Sequence, residues 1–182
     1  MKANRRRVAP RAALVLSFGM AWAPSALGQS PFTAESVSKL IADVGPQKAA
    51  EQVLNDSARL EAVAAGVAGG RPEWLEVGTQ LIGVADSYLK DRLTQAFSIV
   101  LQREPTAVLA RAASGLPLPA VCGYDPFTAA ETQPTRRQFD EAVTQRERAV
   151  AAVRSAELAA AKGACLEAVA GLRVAGPNQY QP

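Results

Sequence analysis

Residues 86–102 read DSYLKDRLTQAFSIVLQ, and their spacing decides the fold class. Asp86 suits a helix N-cap, because a short side chain there accepts from an orphan backbone N–H of the first turn. Behind it Leu89, Leu93, Ala96, Phe97, Val100 and Leu101 recur every three or four residues, which puts them on one face of an α-helix. Upstream, the same signals recur in shorter form. Thr33–Val44 predicts a helix capped by Thr33, with Val37, Leu40, Ile41 and Val44 on one side and Gly45 as its stop. Pro46–Leu54 and Ser57–Ala68 follow, separated by Asn55-Asp56 and closed by Gly69-Gly70; a fourth helix starts at Pro72. Downstream, Pro105–Ala113 predicts a sixth that stops at Ser114-Gly115.

Leu116–Pro134 breaks the pattern. Prolines at 117, 119, 126 and 134 remove amide donors and disfavour helix at the preceding residues, so an irregular crossing segment is expected. Beyond it, Thr135–Val174 predicts one long helix or two in series. Phe139, Val143, Val150, Val153, Leu158, Ala161, Cys165 and Val169 share one side, and Gly163 is the candidate kink. No stretch alternates with the period of two that a strand needs. The chain is all-α: six to eight short helices, antiparallel because their connections are brief, plus a long C-terminal helix. The helix pairs recur without a fixed period, which argues against a regular solenoid and leaves a bundle or an irregular array.

The first 28 residues have the layout of a secretory signal peptide. Lys2, Arg5, Arg6, Arg7 and Arg11 precede the apolar run Ala12–Ala23, and Ala26 and Gly28 stand three and one residues before a cut ahead of Gln29. The run is about 12 residues, against roughly 20 for a membrane-spanning helix; an uncleaved anchor is the alternative. Gln29 stands where a lipoprotein needs cysteine, and the apolar residues that follow a twin-arginine pair are missing, so general secretion to the periplasm or beyond is expected. The mature chain is one domain, 29–174, with a loose tail at 175–182. The leader holds five of the 20 basic residues and none of the 17 acidic ones, leaving 15 against 17. That balance lacks the basic excess of a nucleic-acid footprint.

Histidine is absent, which removes the usual general base, the serine and cysteine dyads that rely on it, and imidazole metal sites. No catalytic, cofactor-binding or metal site is assigned. Cys122 and Cys165 are the only cysteines. A reactive thiolate needs an electropositive neighbourhood that PAVCGYDP does not offer, and two cysteines do not make a zinc site. Export supplies an oxidising compartment, so a Cys122–Cys165 disulfide tying the proline-rich segment to the last helix is expected.

Other candidates have plainer readings. GVAGG, residues 66–70, follows a helix and lacks the Gly-Lys-Ser/Thr of a phosphate loop, so it is a helix stop. Glu73 and Glu76, with Asp86 and Asp91, offer a carboxylate pair for glycan chemistry, but acids in first turns and on wet faces explain them as well. Trp74 belongs to the core through Val77 and Leu81, although a ring that stacks a ligand or anchors a partner is the alternative; Tyr88 takes the same structural reading. Arg136, Arg137, Arg146, Arg148 and Arg154, interleaved with acids, predict a solvated face, with a partner-binding face as the alternative.

Three stretches carry a resemblance: PEWLEVGTQLIGVADSYLKDRLTQAFSIVLQREPTAVL, VCGYDPF and ACLEAV. Across Pro72 to Leu172 the chain resembles small exported bacterial helical proteins of unassigned function, in which a Trp-containing helix, a Val/Ile-Cys loop and a late Cys-Leu follow one another. The resemblance implies a helical fold and the Cys122–Cys165 bond, and carries no catalytic residues. The expected role is a protein–protein interaction or scaffold module of the cell envelope, with another envelope protein as partner. A periplasmic inhibitor or chaperone-like accessory, and a carboxylate-dependent cell-wall glycan enzyme, are the alternatives.

Overall fold

A computed structural model of the chain describes residues 32–127 and 134–175. The predicted leader, its cut between Gly28 and Gln29, and the predicted tail beyond Ala175 lie outside the described residues. No strand occurs among those described. The helices are α1 Ala34–Val44, α2 Pro46–Leu54, α3 Ser57–Ala68, α4 Pro72–Ile82, α5 Ser87–Arg103, α6 Pro105–Ala110, α7 Leu118–Cys122, α8 Arg136–Ala151 and α9 Ala159–Ala175, with 3-10 turns at Arg111–Ser114 and Ala156–Leu158.

Local chemistry sets most boundaries. Thr33 and Ser36 form a reciprocal capping box on α1, and Thr135 and Gln138 form one on α8. Asp56 and Asp86 accept from Arg59 N and Leu89 N at the starts of α3 and α5. Pro46, Pro72 and Pro105 occupy first-turn positions, where the missing amide hydrogen costs nothing. Gly45 reverses the chain between α1 and α2 at φ 83°, a conformation other residues rarely adopt.

The longest apolar stripe becomes the axis of the fold. α5 packs against α3, α4, α6, α7 and α8. Leu93, Phe97, Val100 and Leu101 are 0% exposed. Gly78 lets α4 come close, because a Cβ there would lie 2.7 Å from Val67 and 3.1 Å from the Phe97 ring. The buried hydroxyls of Thr79, Thr94 and Ser98 donate to the carbonyls of Leu75, Lys90 and Gln95, so none is left unpaired.

Two expectations for the second half are corrected. Within 116–134, Leu118–Cys122 is helical. Pro119 falls in the first turn, where no intrahelical donor is needed, and Leu118 and Val121 are buried, which stabilises a five-residue helix that is not stable alone. The C-terminal stretch takes the second of its two expected forms, two helices in series, but the break falls at residues 152–155 instead of Gly163. Lys162 donates to Ala151 O at 2.6 Å and Val153 O at 2.8 Å, satisfying carbonyls freed at the end of α8, while Val153 turns into the core. The chain then folds back, so that Arg173 near the end of α9 reaches Thr144 and Glu147. Gly163 lies on the outer face of α9, with open space where a Cβ would stand.

The disulfide joins Cys122 at the end of α7 to Cys165 in the middle of α9, with Cα atoms 5.3 Å apart, and both residues are 0% exposed. It closes a loop between residues 43 positions apart. In the chain-entropy account, such a cross-link stabilises by restricting the unfolded chain, here by about 4 kcal/mol. Replacing both cysteines by alanine therefore lowers the unfolding free energy by about that amount in denaturant titrations, while the far-UV circular dichroism of the folded protein stays helical.

Candidate functional site

A groove of about 760 Å³ lies between the start of α1, one face of α3 and the start of α4. Its volume falls within the range of ligand clefts, roughly 300–1,000 Å³. α3 contributes Ala62, Ala65 and Gly66, which helical spacing of three and four residues places on one side, and its C-cap Gly69 continues the row. Phe32 and Trp74 supply the aromatic surface, and Glu35, Arg71 and Glu73 the charged rim. Phe32 also borders a smaller depression of about 310 Å³ along α1, where the Arg59 guanidinium sits 4.8 Å from its ring centre.

Trp74 is 3% exposed, so the core reading holds, yet it also lines the groove. Its six-membered ring rests directly on Gly66, and a Cβ at that position would collide with the indole. GVAGG therefore holds more than a helix stop: Gly66 is the seat of the tryptophan. The indole Nε1 is buried and has no acceptor among the described residues, although buried indole N–H groups usually find one. Tyr88 does not follow the structural reading, because it is 55% exposed on α5.

The acidic candidates are dispersed. Glu73 pairs with Arg71 at 3.4 Å. Glu76 accepts from Gln80 at 3.0 Å and is bridged by Arg111. Asp86 caps α5, and Asp91 accepts from the Tyr124 hydroxyl at 3.4 Å. The Gln80 hydrogen bond, together with the charge and hydrogen bond of Arg111, holds the Glu76 carboxyl below its ordinary value against a smaller opposing effect of burial. A carboxylate so stabilised is a poor proton donor at neutral pH. No group of three or more His, Cys, Asp or Glu side chains suited to a metal ion occurs among the described residues.

The arginine series divides. Arg136, Arg137, Arg148 and Arg154 are exposed, as expected of a solvated face, and the first two pair with Asp140 and Glu141 on α8. Arg146 is the exception, at 1% exposure. It donates from Nη1 to Cys122 O at 3.0 Å and to Tyr124 O. Burial lowers its pKa to about 10, with the charge of Asp125 acting in the opposite sense, so the guanidinium stays charged at neutral pH. The signal was present in the sequence: Arg146 continues the row Phe139, Val143, Val150 at helical spacing, and so belongs to the inner face.

Comparison with protein-family models, curated proteins and solved structures gives no match to this chain.

Two outcomes follow from this geometry. Gly66→Ala forces the Trp74 ring from its seat and lowers stability by about 1–3 kcal/mol, together with a shift in tryptophan emission. For Glu76, a folded-state pKa below the unfolded one means that its contribution is present above the ordinary carboxylate range and is lost on acidification. Stability falls more steeply between about pH 5 and about pH 3 in the parent than in Glu76→Gln, as read from denaturation midpoints across that window.

Proposed function

We propose that this is an exported interaction module of the cell envelope, which receives a segment of another envelope protein in the groove between α1, α3 and α4. The groove carries the reading. Its floor is made of alanine and glycine, so a partner backbone can approach closely, and beside it Phe32 offers the aromatic surface that contributes strongly at interfaces, with the buried Trp74 ring fixing the wall. The carboxylate-enzyme alternative gains no comparable support, since its acids are engaged by Arg71, Gln80, Arg111, a helix cap and Tyr124.

Export is part of the proposal. A cut between Gly28 and Gln29 would release a mature chain into an oxidising compartment, where a buried disulfide persists. No helix among the described residues is long and apolar enough to cross a membrane. The resemblance to small exported helical proteins points the same way and names no substrate.

Crosslinking in cells followed by capture from the envelope fraction tests both parts. The bait begins at Gln29 by intact mass, and a specific partner is recovered with the parent and with Ala160→Arg on the exposed face of α9. Ala65→Arg, on the exposed floor of the groove, reduces that recovery at least about tenfold, in line with loss of a central contact. Equal recovery with both variants rejects the groove, an intact Met1 on the exported bait rejects cleavage, and glycan release by the purified protein without any partner rejects the interaction reading.

A further inference from the structure

α7 is held by two fasteners of different chemistry, one to each arm of the α8–α9 pair. The Cys122–Cys165 bond joins it to α9. The Arg146 guanidinium joins it to α8 by binding two carbonyls, Cys122 O and Tyr124 O, at the very end of the helix. Beneath, Leu118 and Val121 are 4% and 0% exposed. An external thiol must reach the sulfur–sulfur bond along its axis, and both cysteines are 0% exposed. Exchange in the folded protein therefore requires α7 to lift, and lifting α7 breaks the hydrogen bonds to Arg146.

We infer that Arg146 is a positioning residue that guards the disulfide: its grip on the end of α7 limits how often a reductant reaches the bond, and keeps α7 seated once the bond is open. The cross-link acts mainly on the unfolded chain. Cutting it in the folded protein leaves the Arg146 hydrogen bonds and the buried face of α7 in place. The two thiols then remain opposite one another, and an oxidant of the disulfide class closes them again. The exchange balances. A dithiol reductant becomes its cyclic disulfide while the two cysteine sulfurs take up two electrons and two protons, and oxidised glutathione reverses this by becoming two thiols. Neither fastener touches the groove, so the device operates whatever the groove holds.

The test is the rate of disulfide reduction in the folded protein by dithiothreitol, without denaturant. Arg146→Met speeds reduction at least about tenfold, as expected when charge-assisted hydrogen bonds that close a local opening are lost. Arg146→Lys, which keeps the charge but has a less preorganised donor, falls between. Val37→Ala, a core change in α1, lowers global stability but leaves the rate within about twofold, since opening is local. In the parent, reduction leaves hydrogen exchange of the α7 amides within about threefold of the oxidised rate, and this measurement needs no variant to fold. An unchanged rate in Arg146→Met overturns the inference, as does equal acceleration by Val37→Ala, which would mean that reduction proceeds through global unfolding. Loss of α7 protection in the reduced parent overturns it as well.

Discussion

The architecture depends on α5 being buried against several helices at once. A surface helix needs one apolar stripe; α5 carries Leu89, Leu93, Ala96, Phe97, Val100 and Leu101 around a wide arc, and between them Thr94 and Ser98 turn their hydroxyls back onto its own carbonyls. That lets α3, α4, α6, α7 and α8 all pack against it. The short helices among these, α3, α4, α6 and α7, are five to 12 residues long and marginal in isolation, so they depend on tertiary packing of this kind. Gly78 is the steric counterpart of the arrangement: it opens the space that Phe97 and Val67 fill between α4, α5 and α3.

The second half is fixed differently, by side chains that bind backbone carbonyls across elements. Lys162 closes the end of α8, Arg146 closes the end of α7, and Arg103 from α5 closes the end of α3 at Ala68 O. In each case carbonyls at a helix terminus receive cationic donors from a neighbouring element, at α8 where the cap is Ala152 and at α3 and α7 in addition to the glycines that end them. The carbonyl end of a helix carries partial negative charge, so a cation there is favourable as well as geometrically satisfying. The disulfide then restricts the unfolded chain, while these contacts determine where the folded chain turns.

This division explains which features the sequence disclosed. The first half is bounded by residues whose effect is local: Thr33, Gly45, Pro46, Asp56, Pro72 and Asp86 cap, stop or start helices through their own backbone or short side chains, and the predicted limits of α2 and α3 coincide with the observed ones. The turn at residues 152–155 contains neither glycine nor proline; the contacts that satisfy it come from Lys162, about ten residues away, and from burial of Val153, and no local reading exposes them. α7 was masked by the density of prolines around it, although the one inside the helix sits where proline does no harm. Arg146 was assigned to the surface by its charge; its position in the apolar row was the better guide. The groove was not legible, since Ala62, Ala65 and Gly66 look like any alanine-rich helix until α1 and α4 leave that face uncovered.

A floor of alanine and glycine also constrains how such a groove discriminates. Small side chains bury little area of their own and Trp74 is already down to 3% exposed, so Phe32 is the main apolar surface the groove has left to bury. At the rim Arg71 and Glu73 pair with one another at the surface, where ion pairs are weak, which leaves Glu35 as the net charge there. The rest is shape. Gly66 cannot gain a methyl group without displacing Trp74, and Trp74 belongs to the same core that α5 organises. The groove's contour is thus set by the packing that stabilises the fold, so a change in the core that shifts Trp74 also changes the groove.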